Sequence, residues 1–179
     1  MKRILFIHSS LSGGDSAGTG IAQALVKRLV NENPGSSVTR LDLATEAPPH
    51  LEAEEFHSWT IAPDQRDDAQ QALAGVSDKL IDQLLSHDVL VVAVPMYNLG
   101  IPSTLKAWID RVARAGKTFR YTSDGPQGLV KGVQAYLVLT RGGIYRDTPL
   151  DTQTPYLASV LGLMGITSVE TVFAEGLNK

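Results

Sequence analysis

The sequence predicts an α/β fold in which five parallel strands, in the order 2-1-3-4-5, form a doubly wound sheet with helices on both faces. Three observations carry this expectation. Five short apolar runs punctuate the 179-residue chain, helical stripes separate most of them, and the third run, 89–94, is apolar at every position. A strand without polar alternation is expected of a parallel strand covered by helices on both faces.

The runs occupy 4–7, 38–43, 89–94, 133–139 and 169–173. Between the first two, Ile21, Leu25 and Leu29 recur at i, i+4 and i+8 and give way to the stop Asn33-Pro34-Gly35. Leu73, Val76, Leu80 and Leu84 form a second stripe, and Leu105, Trp108, Ile109 and Val112 a third. Pro102 suits the first turn of that third helix, where its missing N–H costs nothing. A fourth helix is expected over 154–163.

Strand–helix alternation with right-handed crossovers gives the predicted order, and ligands of such sheets bind beyond the carboxyl ends of the strands, where the order reverses. Here the reversal falls between strands one and three. Topology alone therefore singles out the loops 9–18, 95–101 and 141–147.

Composition narrows the ligand. Hydrophobic residues make up 43% and charged residues 20%, the balance of a globular domain. A chain of this size buries roughly 70% of its unfolded surface, so a single domain over 1–179 is expected. The net charge of -3 and the lack of a Lys/Arg run argue against nucleic acid or an anionic membrane as partner. The absence of cysteine excludes disulfides, thiolate nucleophiles and Cys-based metal sites. His8, His50, His57 and His87 show no metal-ligand pairing, so no metal is assigned. The first apolar run is too short for a signal-peptide core, and no stretch approaches the roughly 20 apolar residues of a spanning helix. A soluble, cytoplasmic protein acting on small molecules is expected.

The first loop, Ser9-Ser10-Leu11-Ser12-Gly13-Gly14-Asp15-Ser16-Ala17-Gly18, opens into the first helix. A helix start offers unpaired N–H groups and a positive dipole end, and the hydroxyls add donors, so this is a candidate phosphate cradle. Thr19 stands where a triphosphate-binding P-loop needs lysine, and Gln23 replaces the last glycine of a dinucleotide fingerprint. A single terminal monophosphate such as that of FMN suits the loop better. Taken alone, the same residues would only cap a helix and make a turn.

The second loop runs from Pro95 through Met96, Tyr97, Asn98 and Leu99 to Pro102. The two prolines restrict the backbone, so its polar groups can face a planar ligand edge, with Met96 and Leu99 covering a flat apolar ring. The third loop, Thr140-Arg141-Gly142-Gly143-Ile144-Tyr145, carries paired glycines that let amides approach a ligand and stabilise developing negative charge.

These segments, with Ala113-Arg114-Ala115-Gly116-Lys117-Thr118-Phe119-Arg120-Tyr121-Thr122 and Phe173-Ala174-Glu175-Gly176, resemble the FMN-dependent NADH-azoreductases. These are the short-chain quinone-reductase branch of the flavodoxin-like flavoproteins, and the resemblance runs along the whole chain. It implies a flavodoxin-like fold and a homodimer with FMN at the interface. It also implies hydride transfer from NADH or NADPH to quinones or azo compounds. By position it places Ser10, Ser16, Ala17 and Gly18 on the FMN phosphate and ribityl chain. Pro95, Met96, Tyr97, Asn98 and Leu99 then face the isoalloxazine, Thr140, Arg141, Gly142 and Gly143 its pyrimidine side, and Tyr121 and Tyr145 the substrate pocket.

The chain departs from the family pattern at Leu99, where phenylalanine is common, around Ser12 to Asp15, and at its end. It stops after the fifth strand, where the family continues into a last helix: either that helix lies beyond residue 179, or one sheet face is left partly uncovered. Because the flavin carries the chemistry, no catalytic side chain is assigned and ping-pong kinetics are expected. The alternative readings are an FMN-binding electron carrier and an FMN reductase without quinone or azo turnover. A receiver-type domain is disfavoured, because Pro95 and Met96 stand where an acidic residue is needed.

Overall fold

The alternation in the sequence becomes five parallel strands with the helices between them. A computed structural model describes residues 1–178. Chain order is β1 (Arg3–His8), α1 (Ala17–Glu32), β2 (Ser37–Asp42), α2 (Ala53–Ser58), α3 (Asp68–Leu85), β3 (Val89–Pro95), α4 (Ser103–Val112), β4 (Phe119–Thr122), β5 (Gly125–Gly128), β6 (Gln134–Thr140), α5 (Gln153–Met164) and β7 (Ser168–Ala174). The sheet order is β2-β1-β3-β6-β7, which is the expected 2-1-3-4-5. All four pairings are parallel, and in register Ile7 lies beside Val92 and Val92 beside Leu137. The carboxyl ends of β1, β3 and β6 are thus neighbours on one edge.

Strand parity divides the core. On one face Ile4, Phe6, Val91, Ala93 and Val138 meet Ala22, Val26 and Leu29 of α1. On the other, Leu5, Ile7, Leu90, Val92, Leu137 and Leu139 meet residues of α3, α4 and α5. Each fully buried Val, Leu or Ile contributes about 1.5–3 kcal/mol, so the all-apolar β3 anchors both layers.

The stripe expected on α4 is the one buried, but those on α1 and α3 are turned. Ala22, Val26 and Leu29 face the sheet from α1, while Ile21 and Leu25 only flank the contact. On α3 the inner row is Ala74, Ser77, Ile81 and Leu84, leaving Val76 exposed. Small residues let these helices lie close to their neighbours, so the largest side chains do not mark the inner face.

Pro102 sits just before α4, with φ -56° and ψ 142°, and not in its first turn. The antiparallel hairpin β4–β5 and the short helix α2 were not expected from periodicity. α2 is fastened by a buried pair: Arg111 donates to both carboxylate oxygens of Glu55, at 2.9 and 2.6 Å, and to the Pro49 carbonyl. No helix among the described residues is long and apolar enough to cross a membrane.

Candidate functional site

The three loops named by topology meet. Tyr97 Oη accepts the Leu11 N–H at 3.1 Å, joining the second loop to the first. The Met96 N–H donates to the Thr140 carbonyl at 2.9 Å, joining the second to the third. Gly18 packs so closely on Thr140 that a Cβ there would lie 2.9 Å from its Cγ2 and Oγ1, joining the first to the third.

In the first loop, Ser16 is the N-cap of α1, and its Oγ accepts the Thr19 N–H. Thr19 Oγ1 donates to the Gly13 carbonyl, so the Ser16 hydroxyl hydrogen is directed to Thr19 Oγ1 at 2.7 Å. Ser16 therefore shapes the helix start and keeps no hydrogen free for a ligand. Ser10 is buried and its Oγ accepts the Ser12 N–H. Among the described residues no acceptor is found for the Ala17 and Gly18 N–H groups, the orphan donors expected of a first helical turn. Asp15 is exposed, in a short 3-10 turn over Gly13–Asp15.

The second loop is a tight turn closed by reciprocal bonds between Tyr97 and Gly100, at 3.0 and 2.9 Å. Its tip residues, Asn98 and Leu99, have φ of 50° and 65°, a left-handed conformation that side chains other than glycine seldom adopt. The turn's carbonyls are tied back into the protein. Gln153 Nε2 donates to the Pro95 and Gly100 carbonyls at 2.8 and 3.3 Å, and Thr152 Oγ1 donates to the Leu99 carbonyl. The Asn98 and Leu99 N–H groups find no acceptor among the described residues.

The third loop repeats this arrangement with different partners. The Arg141, Gly142 and Gly143 carbonyls accept N–H groups of Leu177, Asn178 and Gly176, while the Gly142 and Gly143 N–H groups have no acceptor among the described residues. A Cβ on Gly142 would lie 2.2 Å from Asn178 Nδ2, so the Asn178 side chain rests directly on this glycine. Both loops thus turn carbonyls inward and leave N–H edges open. Such an arrangement suits a ligand rich in acceptors.

Between these edges is a cleft of about 240 Å³ lined by Met96, Asn98, Leu99, Gly142, Gly143, Tyr145 and Asn178. Pro95 and Tyr97 do not line it: Pro95 ends β3, and Tyr97 closes the turn with Gly100 and reaches Leu11. Arg141, expected beside a ligand, has its side chain at 0% exposure, held by Glu175 at 3.0 Å and Asp151 at 2.8 Å and stacked on Phe173. It braces the loop from inside, and its guanidinium lines no part of the cleft. Burial alone would raise the Asp151 and Glu175 carboxyls, but hydrogen bonds from Arg141 and backbone N–H groups hold both below their ordinary values.

Tyr121 is not brought to this cleft. It stands on the β4–β5 hairpin, 75% exposed, edge-on to Phe119, beside a separate cleft of about 300 Å³ that Phe56, Trp59 and Arg114 also line. Arg114 stacks on Trp59 with its guanidinium carbon 4.9 Å from the ring centroid and pairs with Asp78; burial lowers the guanidinium from its usual value. A larger cleft, about 420 Å³, lies away from the three loops, between Arg40 and Leu41 of β2 and Val76 to Gln83 of α3.

Sequence reasoning missed Thr152, Gln153, Glu175 and Asn178. Glu175 stood in a segment already noted, but its hold on the Tyr145 and Arg146 N–H groups comes from 30 residues away in one case. Nothing local signals such a contact.

A family profile described as a flavodoxin-like fold matches residues 2–179. The chain belongs to the flavodoxin-like family. Within it, this flavodoxin-like chain is 48% identical over 178 residues to a protein of Pseudoalteromonas atlantica named FMN-dependent NADH:quinone oxidoreductase, covering 99% of this chain and 88% of that protein. It is 46% identical to FMN-dependent NADH:quinone oxidoreductase 2 of Pseudomonas fluorescens, covering 99% and 89%. Among solved structures, an azoreductase from Bacillus anthracis superposes with a TM-score of 0.89 at 33% identity, covering 99% of this chain and 88% of that one.

Proposed function

We propose that the chain is a single FMN-binding domain that transfers two electrons from NADH to quinones and azo compounds. The observation that carries this is the set of open N–H edges, at Ala17–Gly18, Asn98–Leu99 and Gly142–Gly143, on three loops fastened to one another. The relatives named FMN-dependent NADH:quinone oxidoreductase and azoreductase support it independently.

The residues present fit FMN. The first-turn N–H groups of Ala17 and Gly18, at the positive end of the α1 dipole, would hold the phosphate, with Ser10 and Ser16 shaping the loop. No lysine is needed for one monophosphate, and the exposed Asp15 can stay clear of it. Asn98, Leu99, Gly142 and Gly143 would donate to the acceptor edges of the ring, backed by Pro95, Tyr97, Thr140 and Arg141. Met96 and Leu99 would give it apolar cover. Bound FMN would supply the hydride chemistry, which no side chain of the chain is required to perform.

The protein's own part is orientation and electrostatics. Unpaired N–H groups on loops already fastened to one another favour a ligand that gains negative charge, because they need little reorganisation when it does so. Tyr145 lines the same cleft and would face the substrate there. Leu99, which lines the cleft, and Ile144, between two of its lining residues, are exposed apolar residues, and Tyr121 is exposed on the hairpin. Such residues favour a homodimer in which the partner's hairpin closes the site, with NADH and acceptor entering in turn.

The deciding experiment is flavin uptake followed by steady-state kinetics. The purified protein should bind FMN, oxidise NADH only with FMN and a soluble quinone present, and give parallel double-reciprocal lines. A colourless protein that ignores added FMN would sink the reading. Intersecting lines would overturn the ping-pong order, and a monomer by light scattering would overturn the dimer.

A further inference from the structure

The turn at 95–100 cannot hold its shape through its own sequence. Two successive left-handed residues, Asn98 and Leu99, are costly, and within the turn the closing bonds among the described residues are the reciprocal pair between Tyr97 and Gly100. What over-determines the turn is the start of α5. Gln153, at 1% exposure, reaches across with Nε2 to the Pro95 and Gly100 carbonyls at 2.8 and 3.3 Å. Its neighbour Thr152 donates to the Leu99 carbonyl.

Three carbonyls, those of Pro95 and Gly100 flanking the tip and of Leu99 within it, are therefore drawn toward α5. The Leu99 carbonyl held by Thr152 shares its peptide plane with the Gly100 N–H, which donates to the Tyr97 carbonyl at 2.9 Å. The Tyr97 carbonyl in turn lies opposite the Asn98 N–H in its own peptide, so the fastening passes through the closing bond of the turn to the tip. Gln153 Oε1 is buried with no hydrogen-bond partner among the described residues. The amide is thus oriented by the two carbonyls it serves and not by any need of its oxygen, an arrangement unfavourable on its own account.

We infer that Gln153, assisted by Thr152, is a positioning residue that fastens the 95–100 turn so that its Asn98–Leu99 N–H edge is preset toward the ring of the bound cofactor. The identity of that cofactor rests on the function proposed above. The fastening itself does not, because every bond in it lies within the chain.

Two variants test it, with a readout in the protein free of cofactor. Gln153→Leu keeps the volume but removes both donors, so the Tyr97 and Gly100 amides should exchange with solvent about tenfold faster, while the Val26 amide in α1 keeps its rate. The FMN dissociation constant should rise by about tenfold, with a shift in the visible spectrum of the bound flavin. Gln153→Glu can donate only when protonated, so its FMN affinity should improve as pH is lowered from about 8 to about 5, a dependence absent from the parent.

Unchanged exchange at Tyr97 and Gly100 in Gln153→Leu would overturn the fastening. Faster exchange with unchanged FMN affinity and spectrum would overturn its link to the cofactor. A parent protein that takes up no FMN would overturn the proposed function and the cofactor-facing half of this inference, while the exchange rates would still decide the fastening.

Discussion

The hydroxyl of Tyr97 accepts the backbone N–H of Leu11 at 3.1 Å, so a side chain leaving β3 completes the backbone leaving β1. Two loops that share no sequence are held in one geometry by this bond and by the approach of Ser10 Oγ at 3.5 Å. The site is preset from within the fold.

Tyr97→Phe should therefore loosen the first loop without unfolding the protein. Leu11 is exposed, so water can replace the lost acceptor and the loss amounts to about 0.5–1.5 kcal/mol. FMN binding should weaken by about three- to tenfold, with little change in Tm. Fluorescence titration measures the first and thermal unfolding the second; an affinity equal to the parent's would refute the coupling.

Gly18→Ala sets two effects against each other. Alanine in a helix is worth roughly 0.5–1 kcal/mol over glycine, but its Cβ would meet Thr140 at 2.9 Å, and overpacking typically costs about 1–3 kcal/mol. The clash should win, lowering stability in urea. Adding Thr140→Ala should return most of the loss, because the two changes share one contact. Simple additivity of the two single effects would show that the contact is not the cause.

Much of this was legible beforehand, and the remainder has identifiable causes. Strand order followed from strand–helix alternation, and the central, doubly covered strand from the all-apolar run 89–94, because burial on both faces leaves a mark on every residue. The hairpin left none: Arg120, Tyr121 and Gln127 are exposed, and Gly125, Pro126 and Gly128 break any alternation. The helix faces were misjudged where Ala22, Ala74 and Ser77 turned inward, since small residues carry little periodic signal. In the candidate site the loops followed from topology, but not the braces. Gln153 and Asn178 act across the fold, and the buried fate of Arg141 depends on Asp151 and Glu175 meeting it in space.

Leu99→Gly should separate stability from activity. A left-handed non-glycine residue costs about 1–2 kcal/mol, whereas glycine adds roughly 0.5–1 kcal/mol of unfolded-state entropy. With φ at 65° and the side chain 37% exposed, the unliganded variant should be as stable as the parent or slightly more so. Turnover with NADH and a quinone should fall several-fold, because the apolar rim of the cleft is lost. A Tm below the parent's would mean that the Leu99 side chain contributes packing beyond what its exposure allows.

The brace around Arg141 gives a pH prediction with a definite sign. Asp151 and Glu175 are held below their ordinary values of 3.8 and 4.5, so folding strengthens their ionised forms. That contribution is fully present above those values and is lost as pH falls through the lower folded values. The urea midpoint of the parent should accordingly drop below about pH 4.5. Glu175→Gln keeps an oxygen for the Tyr145 and Arg146 N–H groups but leaves the buried Arg141 with Asp151 as its one remaining carboxylate partner in the brace. Stability at pH 7 should fall by about 1–3 kcal/mol. The difference from the parent should shrink as the pH falls below 4.5 toward the lowered value of the folded Glu175 carboxyl, where the parent loses the same charge by protonation. Parallel stability curves across that range would show that Glu175 acts through its shape alone.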